Sequence, residues 1–211
     1  MIQLIPGLRM AGLTLALALG VTPASALDSS PCIEVVEKLH AAALEVMKQA
    51  ETLGYAGRAE RLAPVLDESM DLRFMAEKSV GRYWREASEQ MQERLLKTFR
   101  RYIIATYAGR FDGYSGQHFE TLGEEPALRD TRLVRTRITT PNEDSIALDY
   151  RLWQTNGSWK IVDVYLNGTV SELGLRRSEY TTVIKRDGLE ALLTALEEKI
   201  IRFASGTAGD L

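Results

Sequence analysis

Asp163 is the residue best suited to acid–base chemistry, because its carboxylate interrupts an apolar strand-like segment. The dipeptide Asn156-Gly157, between two alternating segments, predicts a tight hairpin whose register places Tyr150 opposite Asp163. A carboxyl group beside a tyrosine on an apolar face suits catalysis of the kind that small isomerases perform. Asp163 can also anchor the sheet by accepting hydrogen bonds from Tyr150 or an arginine. We favour that structural role, because no second acid or base lies nearby in sequence.

Other chemistry that residue types could support finds little basis in the sequence. The two histidines, His40 and His118, stand far apart without a cysteine or histidine neighbour, which argues against a zinc site. The single cysteine, Cys32, cannot form an intramolecular disulfide. Glycine-rich phosphate loops and local motifs of catalytic triads are also missing from the sequence. We therefore expect neither a metal nor a cofactor.

Arginines gather in the strand-like part of the chain, where they could meet lipid phosphates or an acidic partner. Cross-strand pairing with Asp149 and other acids on a solvated face is the interpretation that we favour. Arg177 and its neighbour Arg176 allow the same two interpretations. The strand arginines are Arg132, Arg135, Arg137 and Arg151.

The elements that position these residues follow from the period of the apolar residues. The period is helical to about residue 111, strand-like to about residue 167, and helical again to the end. Ser30, Asp71 and Ser88 are candidate helix caps, and Gly188 separates two C-terminal helices. Short loops between the strands predict an antiparallel meander. The fold class is therefore α+β, with about six helices and four to five strands, the first four at about 117–122, 131–139, 145–154 and 158–167.

The hairpin register assigns side chains to two faces of the predicted sheet. Because strand side chains alternate, pairing Leu152 with Ile161 also pairs Leu148 with Tyr165. The opposite face mixes charged and apolar residues, including Trp153. The first face should be concave, and it carries Ile146, Leu148, Tyr150, Leu152, Ile161 and Tyr165, with Asp163 among them.

Residues 1–26 have the features of a cleavable signal peptide. Arg9 supplies a positive start, Met10–Val21 an apolar run too short to span a bilayer, and Ala24 with Ala26 a cleavage pattern.

We expect residues 27–204 to form one domain and residues 205–211 a flexible tail. The net charge of −3 gives no general attraction to nucleic acid.

Many apolar residues are left over on the predicted helices. Periodicity alone cannot say whether they fill a core or line a pocket. They include Phe74, Met75, Trp84, Leu95, Phe99, Ile103, Tyr107, Tyr180, Val183 and Ile184.

Two stretches contain motifs that are more specific than the period of their apolar residues. One is Met70–Arg85, followed by Phe99, Thr106–Ala108 and Tyr114–Gln117. The other is Asp149–Leu152 with Trp159–Val164, Gly168 and Gly188–Leu193. As an ordered set spanning about residues 33–203, they resemble the MlaC-like (toluene-tolerance) family of periplasmic phospholipid-binding proteins.

This resemblance implies a sheet curled against helices, similar to the NTF2-like cone, around an apolar cavity. The leftover apolar residues and the concave face would then line a lipid-binding site. It also implies a soluble, monomeric periplasmic carrier without catalytic residues. Such a carrier would work between an inner-membrane ABC transporter with an MCE-type partner, or a hopanoid exporter, and an outer-membrane complex.

Two segments resemble one branch of that family more closely. Asp163–Glu172 and Arg176–Tyr180 are similar to the branch encoded beside hopanoid-biosynthesis enzymes. The expected ligand is therefore a phospholipid or a hopanoid. Two alternatives stay open: a small periplasmic enzyme that uses Asp163 and Tyr150, and an interaction module whose apolar face is simply core.

Overall fold

The computed structural model describes residues 30–142 and 144–207, so the predicted signal peptide and the end of the predicted tail lie outside the described residues. Five helices precede a sheet, and a long helix follows it, which confirms the α+β class and the predicted order. The elements are α1 Pro31–Lys48, α2 Ala50–Ser69, α3 Leu72–Val80, α4 Arg82–Glu86, α5 Glu89–Arg110, β1 His118–Ala127, β2 Thr131–Thr139, β3 Ser145–Thr155, β4 Ser158–Leu166, β5 Val170–Ser171 and α6 Glu172–Ala204.

Polar side chains begin the helices where the sequence predicts. Ser30 accepts a hydrogen bond from the Cys32 amide at 3.2 Å, and Ser88 accepts one from Met91 at 3.2 Å. Asp71 accepts one from the Phe74 amide at 2.9 Å. Each of these bonds satisfies a backbone donor that a helix start leaves open. Helix α4 is an addition that the sequence did not predict, and β5 is the fifth strand, whose position the sequence left open.

Gly188 divides α6 into two helical segments, as predicted. Its backbone has φ 86° and ψ 175°, a conformation that favours glycine and interrupts the helix. The second segment therefore turns back toward α5, and the two helices pack together. Helix α2 is interrupted in a similar way at Gly54, whose φ of 56° and ψ of −178° are not helical. Among the described residues, no helix combines the length and the apolar character that a bilayer crossing requires.

The sheet is a meander in which each strand pairs with the next, in the order β1-β2-β3-β4-β5. All pairs are antiparallel. Asn156 and Gly157 both have positive φ, 50° and 78°, so they form the tight turn that the sequence indicates between β3 and β4. Next to this turn the predicted pairing of Leu152 with Ile161 is confirmed.

A β-bulge makes the rest of the predicted register wrong. Arg151 pairs with Asp163 while Leu152 pairs with Ile161, so Val162 is an extra residue in β4. Tyr150 therefore pairs with Val164 rather than Asp163, and Leu148 pairs with Leu166 rather than Tyr165.

A one-residue shift in register exchanges the two faces of a strand. Beyond the bulge, Val164 and Leu166 thus share the face of Leu148 and Tyr150. Asp163 and Tyr165 move to the opposite face, which we call the outer face.

The hydrophobic core has two parts. Helix α1 packs against the sheet, where Leu152 and Ile161 are fully buried. The second part lies between α3, α5 and α6. We call it the helical core; its centre consists of Ala76, Val80, Leu95, Phe99, Tyr180, Leu192 and Leu196.

Candidate functional site

An apolar cavity of about 430 Å³ opens where the sheet meets the end of α5 and the start of α6. Methionine, aliphatic and aromatic side chains form most of its wall, and four polar residues stand among them. The lining residues are Met70, Met75, Ile103, Tyr107, Arg110, Phe111, Ile138, Ile146, Leu148, Tyr150, Val164, Leu166, Asn167, Glu172 and Arg176.

The structure brings six of the sixteen apolar residues predicted for a pocket to this wall. They come from three sources: α3, α5 and the sheet face opposite the outer face. These six residues are Met75, Ile103, Tyr107, Ile146, Leu148 and Tyr150.

The other ten lie elsewhere, for identifiable reasons. Leu152 and Ile161 are fully buried in the core, and the bulge moves Tyr165 to the outer face. Phe74 packs against the Trp153 ring at 4.3 Å between centroids. Val183 is half-buried at the edge of the core, and the rest are buried core residues, namely Trp84, Leu95, Phe99, Tyr180 and Ile184.

Nine lining residues were missed by the sequence prediction. Ile138 could have been found from alternation in β2, because it pairs with Ile146 across the sheet. Val164 and Leu166 become visible only when the bulge is known. Met70 reaches the wall through an isolated bridge to Ile161. For Arg176 the sequence already allows contact with a lipid phosphate, and no sequence pattern indicated the remaining four, Arg110, Phe111, Asn167 and Glu172.

Tyr150 is fixed to the cavity wall by a buried histidine. Its hydroxyl lies 3.0 Å from His40 Nε2, and the His40 ring stacks on Phe119 at 4.1 Å. Burial lowers the pKa of His40 to about 4 and raises the pKa of Tyr150 well above its usual range. Both groups are therefore neutral at pH 7. This pair is a neutral polar contact behind an apolar wall.

Asp163 anchors the start of α6 from the outer face. Its carboxylate accepts hydrogen bonds from the Ser171 hydroxyl at 2.6 Å, the Leu173 amide at 3.0 Å and the Val164 amide at 2.9 Å. Such bonds suit a carboxylate that holds a helix start against a strand. An anchoring role was the favoured expectation, but the partners differ from those predicted, because neither Tyr150 nor an arginine supplies them.

One end of the cavity is polar. Glu172 and Arg176 form a buried ion pair with 2.8 Å between Oε2 and Nη2. Tyr107 lies close enough to feel the charges of Arg176, Arg110 and Glu172, although burial is the main reason that its pKa rises to about 12. Arg110 and Asn167 are exposed at the rim.

Three of the four strand arginines pair with carboxylates, as favoured. Arg137 contacts Glu120 at 2.7 Å, and Arg135 contacts Asp149 at 3.5 Å. Arg132 pairs with Glu124, and Arg151 lies over the Tyr165 ring. Across residues 30–142 and 144–207, histidine, cysteine and acidic side chains form no group of three that could hold a metal.

The fold and the cavity together define a class of protein: an α+β domain in which helices and one antiparallel sheet enclose an apolar cavity with a polar end. The family model described as MlaC protein matches residues 37–198. The chain therefore belongs to the MlaC family, which confirms the family predicted from its motifs.

Two known proteins are similar to this chain. The intermembrane phospholipid transport system binding protein MlaC of Haemophilus influenzae is 25% identical over 134 residues. That alignment covers 61% of this chain and 62% of the relative, which is less than two thirds of its length. The phospholipid-binding protein of Ralstonia solanacearum, solved in complex with a phospholipid, superposes with a TM-score of 0.68 at 24% identity. This superposition covers 81% of this chain and 97% of the solved one, and it shows the same fold.

Proposed function

We propose that this chain is a lipid carrier that holds the acyl chains of a membrane lipid in the apolar cavity. The observation that carries the proposal is the cavity itself. Its volume of about 430 Å³ lies within the range of ligand sites, roughly 300–1,000 Å³. Its wall is mainly apolar, and it opens in a member of the MlaC family.

The energetics of acyl chains agree with a carrier. Exposing an acyl chain to water costs about 0.8 kcal/mol per methylene, or roughly 12 kcal/mol for a chain of about fifteen methylenes. A carrier avoids this cost by replacing the apolar interior of a membrane with Met75, Ile103 and Leu148. Transfer between a membrane and the cavity can then be close to neutral in free energy. No catalytic residue is needed.

The proposed ligand is a phospholipid. Both similar proteins carry phospholipid in their names, one as a transported ligand and one as a bound ligand. A hopanoid is the second candidate, because Asp163–Glu172 and Arg176–Tyr180 resemble the hopanoid-associated branch.

We place this carrier in the periplasm, with residues 1–26 as its export signal. It would act there as a soluble monomer that receives lipid from, or delivers it to, an inner-membrane ABC transporter with an MCE-type partner, or a hopanoid exporter, and an outer-membrane complex. Support comes from the Haemophilus relative, whose name places it in an intermembrane transport system.

An enzyme that uses Asp163 with Tyr150 is not favoured. The two residues lie on opposite faces of the sheet, because Tyr150 lines the cavity while Asp163 holds α6 from the outer face. The Tyr150 hydroxyl already contacts the neutral His40.

Mass spectrometry of an organic extract tests this proposal. Protein purified from the periplasm of a hopanoid-producing cell should carry close to one lipid per chain, and the fragments distinguish phospholipid from hopanoid. Vesicles containing labelled lipid provide the second arm, in which the protein should move label from donor to acceptor vesicles. Absence of both bound lipid and transfer would reject the carrier.

A further inference from the structure

The Glu172–Arg176 pair is out of place in an apolar cavity. The two residues stand four apart in the first turns of α6, and each side chain is only 10% exposed. An ion pair loses its hydration when buried, and the attraction between its members often does no more than compensate that loss. Apolar side chains of similar size would serve folding equally well. Stability alone therefore gives no reason for the pair.

Arg176 has hydrogen-bonding capacity beyond Glu172. A guanidinium group carries five N–H donors in a planar fork. In the described part of the chain, Arg176 uses one of them, from Nη2 to Glu172 Oε2. Its side chain borders the cavity. The remaining donors can thus bind an acceptor group of a ligand that occupies the cavity.

The charges around the cavity favour an anionic acceptor. Two arginines, Arg110 and Arg176, belong to the lining, and Glu172 is its one carboxylate among the described residues. Tyr107 is neutral, and Asn167 adds an uncharged amide at the rim. The polar end therefore carries a net positive charge, while the rest of the wall is mainly apolar.

We infer that this polar end, formed by Arg176, Glu172 and Arg110, binds the phosphate group of a lipid and so selects phosphate-bearing lipids over uncharged ones. Guanidinium groups bind phosphate through parallel hydrogen bonds of matching geometry. Glu172 holds the Arg176 fork in place, and Arg110 closes on the phosphate from the rim. This inference rests on the proposed carrier function and adds the part of the ligand that the cavity recognises.

A competition between two lipids with identical acyl chains tests the inference. The protein without residues 1–26 is incubated with vesicles that contain equal amounts of phosphatidylethanolamine and diacylglycerol, and extracted lipids are quantified by mass spectrometry. Wild-type protein should be enriched in phosphatidylethanolamine by about 10- to 100-fold, the range expected for hydrogen bonds to charged groups.

Variants assign the enrichment to the polar end. Glu172→Gln with Arg176→Met removes both charges together, so that neither is left buried without its partner. The enrichment should fall to about one, because phosphatidylethanolamine loses its advantage over diacylglycerol. Arg110→Gln changes an exposed side chain, so it should fold as the wild type does and lower the enrichment several-fold. Arg177→Met, an exposed neighbour that does not line the cavity, is the control and should change nothing.

The possible results separate the inference from the proposed function. Wild-type protein that takes up neither lipid rejects the carrier itself. Equal uptake of both lipids, or enrichment that persists in the double variant and in Arg110→Gln, overturns the inference and leaves the carrier intact. Inorganic phosphate in excess gives a further arm. If inorganic phosphate does not displace the bound lipid, the site recognises phosphate as part of a lipid. If inorganic phosphate binds to wild-type protein and not to the double variant, the same site also accepts free phosphate.

Discussion

The cavity and the helical core are built from the same kinds of side chain but differ in how completely they are filled. Around Leu95, Phe99 and Leu192 the remaining space is about 10 Å³, room for one water molecule at most. Around Ile103, Leu148 and Val164 it is about 430 Å³. The hydrophobic pattern of a chain thus determines which surfaces avoid water. It does not determine whether protein or ligand covers them.

The path of α6 accounts for the difference. After the interruption at Gly188, its second segment lays Leu192 and Leu196 against Leu95 and Phe99, which closes the helical core. Its first segment begins beside the sheet and brings Glu172 and Arg176 to the cavity. One helix therefore closes one apolar cluster and gives the other its polar end.

Truncating one side chain in each region should cost different amounts of unfolding free energy. Phe99→Ala leaves a void in a closed core and should cost about 3–5 kcal/mol of unfolding free energy. Leu148→Ala faces space that is already open and should cost less than about 1.5 kcal/mol, because fewer contacts are lost. Urea unfolding of lipid-free protein measures both. Equal losses would mean that the two regions are equally well packed.

Acid should lower the unfolding free energy of the chain through His40, which contacts Tyr150 in the cavity wall. The pKa of His40 is about 4 in the folded chain and 6.5 as the ordinary value. Below pH 6.5 the unfolded chain therefore binds a proton that the folded chain does not. Stability is lost as the pH falls from about 6.5 to about 4, by roughly 3 kcal/mol in total.

Urea unfolding at a series of pH values measures this loss. Histidine substitutions provide the comparison: His40→Gln should remove the histidine contribution, and exposed His118→Gln should leave it unchanged. The same pH dependence in wild type and His40→Gln would assign it to other groups.

Asp163→Asn changes the outer face, so it should lower stability without changing lipid binding in the cavity. The substitution weakens hydrogen bonds to Ser171, Leu173 and Val164, so unfolding free energy should fall by about 1–3 kcal/mol. Lipid bound per folded chain should not change, because the carboxylate does not line the cavity. Thermal unfolding and lipid extraction on one preparation measure both quantities, with exposed Asp112→Asn as the control. Loss of bound lipid at unchanged stability would mean that Asp163 takes part in lipid binding.

Local signals predicted much of the fold. Ser30, Asp71 and Ser88 mark helix starts because their side chains satisfy backbone donors within three residues, which sequence alone can reveal. Asn156-Gly157 predicted the hairpin because two positive φ angles are required there. The α+β class followed from the change in apolar period.

The candidate site was less predictable, because it depends on contacts between distant segments. Nothing in the composition of β4 marks Val162 as an extra residue, yet this bulge decides which of Asp163 and Val164 reaches the cavity. His40 meets Tyr150 across 110 positions of sequence. Arg176 looked like one more surface arginine, since its burial follows from where α6 begins.

Adjacent residues of β3 provide the most direct test of an acyl-chain site in the cavity. Leu148 lines the cavity, whereas Ala147 points to the outer face. Each is changed to arginine, and lipid bound per folded chain is measured by mass spectrometry of organic extracts. If acyl chains occupy the cavity, Leu148→Arg loses most of its lipid and Ala147→Arg keeps the wild-type amount. Equal occupancy in the two variants would contradict it.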